Sequence, residues 1–191
     1  MMSPPSPVME FLLSRRSRPA RLLAPPVPDH AGIEVLLTAA ARVPDHGKLE
    51  PWRFIVLERD ACQRVAQQVA RRGAETGVEP ERLAKSVAAF ADAHLIAVVV
   101  SSPRPSEKIP EIEQTLSAGA VCLGLVNAAL ASGWGANWLT GWPAYDAHVQ
   151  EALGLAGQEW VAGFIHLGTA QGIPPERPRP DIAALTTWGL P

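Results

Sequence analysis

The sequence predicts helices laid over a mixed β-sheet. Three observations lead there. Helical and strand patterns interleave along the chain. Two short runs, HLIAVVVS at 94–101 and WVAGFIHL at 160–167, carry the β-branched and apolar content of buried strands. Hydrophobic residues make up 47% of the 191 and charged residues 19%, which gives a substantial core rather than a disordered chain. At this length the chain reads as one domain, 1–191, with residues 1–7 and 173–191 as extended tails.

The elements follow in order. A short apolar helix is predicted at 7–16. A second, at 29–42, starts from Pro28–Asp29–His30 and continues as IEVLLTAAAR; Asp29 is its N-cap, the carboxylate accepting from first-turn amides. A strand at 52–58 (WRFIVLE) leads to helices at 60–73 and 80–91 and to the strand at 94–101. A long helix at 112–132 precedes a strand at 135–139 (GANWL), a helix at 144–153 and the strand at 160–167. The proline-rich IPPERPRPD, 173–181, reads as extended chain. Within the long helix, TLSAGAVCLGLVNAALAS approaches the length of a membrane span. Thr, Ser and Asn interrupt it, Glu111, Glu113 and Gln114 crowd its start, and Ala and Gly dominate it. It reads as a core helix whose small residues let a neighbour or a partner subunit approach closely.

Net charge is 17 − 19 = −2, which gives no reason to expect nucleic acid or an anionic membrane as partner. Cys62 and Cys122 form no metal motif, redox motif or disulfide framework, so a reduced, cytoplasmic setting fits. In MMSPPSPVMEFLLSRRS the arginines follow the apolar run instead of preceding it, unlike a secretory signal. The five histidines form no HExxH-type pair, so no metal site is expected. No G-x-S-x-G elbow, P-loop or G-x-G-x-x-G occurs, and Gly133–Trp134–Gly135 ends a helix instead of opening one.

Two segments carry candidate chemistry. In SRRSRPAR, Arg15 and Arg16 are either cations at a helix C-terminus or, with Ser17, a grip for a phosphate. In RVPDHGKLEPWRFIVLE, Pro44 stops a helix, and Asp45, His46, Lys48 and Glu50 crowd the mouth of a strand. The tripeptide Pro-Asp-His recurs there, but no helical pattern follows, so the capping role of Asp29 is not expected of Asp45. This loop is either simply solvated or functional. Trp134, Trp138 and Trp142 read as packing residues or as lids on a pocket.

Four motifs, SRRSRPARLL, AARVPDHGKLEPWRFIVLE, GWGANWLTG and GFIHLGTAQG, together resemble the FMN-dependent nitroreductase family in order and spacing. They are most similar to its short-chain NAD(P)H nitroreductase subgroup, whose motif reads RAPDH…QPWRF. The resemblance spans about residues 8–170. It implies an α+β fold, a three-layer α/β/α sandwich with a mixed, mainly antiparallel sheet and a long central helix at a homodimer interface. It implies FMN as cofactor, NADH or NADPH as co-substrate, and ping-pong hydride transfer to a small acceptor such as a nitroaromatic or quinone. Relatives of the fold also include dehalogenating and flavin-cleaving enzymes, and a flavin carrier or sensor without turnover is the further alternative.

The resemblance also implies roles by position. Arg15, Arg16 and Ser17 match the segment that holds the FMN phosphate and ribityl chain. Arg42 and His46 match positions that reach FMN in the other subunit's site, and Lys48 or Arg42 is placed to stabilise charge at the flavin N1–C2=O edge. Trp138, Leu139 and Thr140 match the flavin-contacting segment, and Gly168 a turn that approaches the cofactor. Arg177 or Arg179 matches a C-terminal basic residue on the phosphate. Ala128, Ala129, Leu130, Ala131, Ser132 and Gly133 match a nicotinamide-nucleotide segment. No catalytic side chain is implied, because the flavin carries the chemistry. The sequence departs from the pattern at Glu50, Lys48 and Leu139; an ionised Glu50 opposes a reduced flavin unless it pairs with Lys48 or Arg53.

Overall fold

The computed structural model describes residues 6–189. Helix α1, Pro7–Ser14, starts with Pro at its first turn and Ser6 as its cap, and it ends before the arginine motif. A two-residue strand β1, Leu23–Ala24, precedes α2, His30–Ala40, where Asp29 caps as predicted, its carboxylate accepting from the Gly32 amide at 2.8 Å. Strand β2, Trp52–Glu58, leads into α3, Arg59–Glu75, and α4, Pro80–Ala91. Strand β3, Leu95–Ser101, is followed by the long helix α5, Glu111–Ala131, then β4, Gly135–Leu139, α6, Ala147–Ala152, and β5, Trp160–Ala170.

Strand β5 organises the sheet. It pairs with β3, β4 and β1, and β3 pairs with β2. Every described pairing is antiparallel, so the parallel component of the expected mixed sheet is absent among the described residues. The reason lies in the connections: paired α-helices, α3 with α4, bring β3 back beside β2 in the opposite sense. On one face Leu36 and Ala40 of α2 and Val121, Leu125 and Ala129 of α5 pack against Ala97, Val99, Ile165 and Leu167. On the other, Val65 and Val69 of α3, Phe90 of α4 and Val149 of α6 pack against Val98, Val161 and Phe164. The strand alternation that splits these two sets makes the three layers.

Three expectations shift. The helix predicted at 144–153 is a 3₁₀ turn at Trp142–Ala144 and then α6, because Asp146 restarts the helix as a cap, accepting from the His148 and Val149 amides. Strand β1 is too short for any periodicity to reveal. The proline-rich tail is extended but not free: Arg16 Nη1 donates to the Pro175 carbonyl at 2.7 Å. Of the predicted N-terminal tail, residues 1–5 lie outside the described residues, as do 190 and 191. Helix α5 is long and apolar enough to cross a membrane by length and composition. Its packing against α2 and the sheet makes it a core helix, and Gly124 is why it comes so close: a Cβ there would meet the Ala40 carbonyl oxygen at 3.1 Å.

Candidate cofactor site

Four arginines from opposite ends of the chain converge. Arg15 and Arg16 follow α1, and Arg177 and Arg179 come from the C-terminal tail. Burial and the positive charges of Arg179, Arg16 and Arg177 all hold the Arg15 guanidinium below its ordinary pKa. Arg15 Nη2 donates to Ser17 Oγ at 3.1 Å. Glu176 is the only carboxylate recorded against this group among the described residues, at 3.3 Å from Arg16 and 2.9 Å from Arg179. Two buried guanidinium nitrogens, Arg15 Nε and Arg18 Nη1, have no hydrogen-bond partner. Repelling cations with unmet donors suit an anion, because such donors cost free energy until an acceptor meets them.

Directly after the arginine segment the chain borders a groove. A cavity of about 350 Å³ is lined by Pro19, Ala20 and Arg21, by Lys85 and Ala89 of α4, and by Asn137 and Leu139 of β4. It shares Lys85, Ala89 and Leu139 with a second cleft of about 440 Å³. That cleft runs between α4 (Arg82, Lys85, Ser86) and the segment Leu139–Thr140–Gly141–Trp142, with Phe90, Phe164 and His166 as its apolar-rich floor. Asn137 Nδ2 donates to the Arg18 carbonyl at 2.7 Å, and the Arg18 amide donates to Ala136, so β4 fixes the arginine segment beside the groove. The arginine segment and the two cavities are thus linked through Arg18, the Pro19–Ala20–Arg21 segment and β4.

FMN matches that shape and charge. Its phosphate carries nearly two negative charges, and its tricyclic ring is planar and apolar-faced. Arg15, Arg16, Ser17 and Arg179, all singled out in the sequence, would hold the phosphate. Leu139 and Thr140 line the slot where the ring would lie. Trp138 sits over Gly163, its Nε1 donating to the Ala162 carbonyl at 3.1 Å, so it packs against the sheet instead of lining the slot. Trp142 lines the slot as a wall, with Nε1 donating to Ser86 Oγ at 2.9 Å, and Trp134 packs on the α2–α5 side of the core.

Other predicted residues fall elsewhere. Gly168 is within β5, not in a turn; a Cβ there would meet the Ala24 carbonyl oxygen at 3.0 Å, so its bareness serves the β1 pairing. Ala128 to Gly133 form the last turn of α5 and its exit, before β4, and line neither cavity. Arg42, His46 and Lys48 are exposed, and their loop stands at the start of α5. There His46 Nδ1 lies 2.7 Å from Glu113, and the Pro44 carbonyl accepts from Ser117.

As expected, the Asp45 side chain caps no helix; it braces the loop beyond a short turn instead. A 3₁₀ turn spans His46–Lys48, and the Asp45 carboxylate accepts from the amides of Leu49 (3.1 Å) and Glu50 (2.9 Å). Gly47, Lys48 and Glu50 all have positive φ, 73°, 55° and 48°, a backbone shape that needs such support. Arg53 does not shield Glu50, because it forms a two-pronged pair with Glu159 at 2.7 Å.

The Nitroreductase family model matches residues 12–169. This chain belongs to the Nitroreductase family. Within the family, it is 34% identical over 163 residues to "Putative NAD(P)H nitroreductase YdjA" of Escherichia coli K12, covering 85% of this chain and 88% of that protein. It is 33% identical over 162 residues to a "Putative NAD(P)H nitroreductase" of Haemophilus influenzae, covering 84% and 87%. Among solved structures, a nitroreductase-like family protein from Bacillus cereus superposes with a TM-score of 0.81 at 20% identity, over 98% of both chains. One from Desulfovibrio desulfuricans, solved in complex with FMN, superposes at 0.74 and 21% identity, over 98% of this chain and 100% of that one. These two carry the nitroreductase fold.

Sequence reasoning missed the α4 wall and His166. Arg82, Lys85 and Ser86 look like any solvated helix face. His166 did leave a signal, an ionisable side chain in the middle of an otherwise apolar strand run. Both cysteines are buried, which pushes Cys62 up to about 11 and Cys122 up to about 12, so neither offers a thiolate.

Proposed function

We propose that this protein is an FMN-dependent oxidoreductase that takes electrons from NADH or NADPH and passes them to a small acceptor such as a nitroaromatic or a quinone. The observation that carries this reading is the arginine cluster with unmet buried donors on Arg15 and Arg18, directly before the Pro19–Ala20–Arg21 segment that lines an apolar-rich cavity. The names of its curated relatives supply the donor class. FMN, when bound, supplies the two-electron acceptor and donor. The chain's own residues do the rest: Arg15, Arg16, Ser17 and Arg179 hold the phosphate, and Leu139, Thr140 and the α4 wall orient the ring. Lys85 lines both cavities, with its ammonium paired to Glu81 at 2.7 Å, and would have to leave that exposed pair to meet the ring edge that gains charge. Trp142 is tied back as a wall and does not plug the slot, which favours turnover over carriage.

The working unit in this reading is a homodimer of one-domain chains. Ile112, Leu116 and Leu123 form one exposed stripe along α5, although they are large and apolar. His46 pairs with Glu113 at the rim of that stripe. A second copy docked there would receive Arg42, His46 and Lys48 at its own flavin. Ala128 to Gly133, partly exposed at the end of α5, are the proposed contact for the nicotinamide nucleotide. A cytoplasmic setting supplies that nucleotide.

The test is the absorption spectrum of the protein reconstituted with FMN, followed anaerobically as NADH or NADPH is added. Bleaching within the mixing time, reversed by a nitroaromatic or quinone, is expected. A flavin spectrum that persists with both nucleotides overturns the reductase reading. Failure to take up FMN overturns the cofactor.

A further inference from the structure

His166 is a buried polar residue for which the fold itself has no use. It lies in β5 between Ile96 of β3 and Asn137 of β4, is only 3% exposed, and faces Phe90 with ring centroids 6.4 Å apart. Its Nε2 is buried without any hydrogen-bond partner. Burial alone pushes the imidazole down to about 4, so it is neutral at physiological pH. An unmet buried polar atom of this kind costs roughly 1–3 kcal/mol. A leucine would pack against Phe90 and Phe164 without that cost. The same side chain forms part of the floor of the 440 Å³ cleft, together with Ser86, Leu139 and Thr140 around it. An orphaned buried polar atom in a native protein calls for an explanation, and a functional role at a binding site is one.

We propose that His166 is a cofactor-binding residue whose imidazole hydrogen-bonds a heteroatom of the flavin ring seated in this cleft, so that its orphaned nitrogen is satisfied only in the holoprotein. This rests on the FMN reading above. A neutral imidazole carries one donor and one acceptor nitrogen, and the polar edge of a flavin offers both N–H and carbonyl groups, so either tautomer finds a partner. No proton need be exchanged. The group gives depth and orientation: a ring hydrogen-bonded at the floor is fixed along the slot, while the arginines fix the phosphate at its other end.

The assignment predicts effects of opposite sign on stability and affinity. His166→Leu is expected to leave the FMN-free protein as stable as wild type or more so, by thermal unfolding. It is also expected to weaken FMN binding about tenfold, read by quenching of flavin fluorescence. His166→Gln, which keeps a donor and an acceptor, is expected to stay within about threefold of wild-type affinity. In the wild-type protein, the imidazole ¹⁵N resonances of His166 are expected to move when FMN is added, a measurement that needs no variant to fold. Unchanged FMN affinity in His166→Leu, or imidazole resonances that ignore FMN, would overturn the assignment. A loss of stability in FMN-free His166→Leu would also count against it, because it would mean the nitrogen is already satisfied within the fold. A wild-type protein that takes up no FMN would instead sink the functional reading, which is a separate result.

Discussion

Arg53 and Glu159 show how one residue pair ties β2 to the start of β5. Glu159 precedes β5, and Arg53 lies in β2. The guanidinium meets both carboxylate oxygens at 2.7 Å and also donates to the Gly154 carbonyl at 3.1 Å. The Arg53 hydrogen bond, aided by the Ala156 amide, holds the Glu159 carboxyl down at about 2. A carboxylate with a folded pKa below its unfolded value stabilises the fold above the unfolded value, and that contribution is lost as pH falls through the folded one. Stability from this pair is therefore full above about pH 4.5 and fades between there and about pH 2. Glu159→Gln is expected to cost ~1–2 kcal/mol at pH 7, a modest figure because the Arg53 side chain is 38% exposed. Its stability is also expected to depend less on pH below 4.5; denaturant titrations at pH 7 and pH 3 that give equal losses would refute the pairing.

At the scale of elements, helix caps and close crossings decide where α2 goes. Pro-Asp-His occurs twice, but only Asp29 caps a helix; the Asp45 carboxylate accepts from the Leu49 and Glu50 amides, beyond the 3₁₀ turn. Asp29→Ala removes the acceptor for the Gly32 amide and is expected to lower stability by about 1 kcal/mol. Gly124 matters more, because α2 and α5 cross there with only backbone between them. Gly124→Val forces the Ala40 turn outward and is expected to destabilise by ~1–3 kcal/mol in urea titration. A variant as stable as wild type would show that the crossing is looser than the structure has it.

For the whole molecule, the open questions are how the two chain ends make one site and what covers the α5 stripe. Leu116 is 65% exposed and Ile112 62%, beside the loop that carries Arg42, His46 and Lys48. If a second copy covers this stripe, Leu116→Glu is expected to convert a dimer into a monomer in light scattering. It should also weaken FMN binding by more than tenfold, because each site loses the partner's loop. A wild-type monomer would overturn the dimer, and a Leu116→Glu dimer with normal FMN affinity would place the interface elsewhere.

Much was already legible in the chain. WRFIVLE, LIAVVVS, GANWL and WVAGFIHL are strands within a few residues of their predicted bounds, and the long Ala- and Gly-rich segment is the core helix it was read to be. Asp29 caps α2 as its local pattern predicted. Hydrophobic period, caps and motifs are local properties, written in neighbouring residues, so the sequence by itself determined the elements, their buried faces and the family. Only the tertiary structure decided the rest. The meeting of Arg15 and Arg16 with Arg177 and Arg179, the α4 wall opposite Leu139 and Thr140, and the place of His166 at the cleft floor all join residues far apart in the chain. Such meetings depend on strand register and on how helices cross. A one-residue change in register moves every side chain to the other face of the sheet, and no local pattern records which register wins.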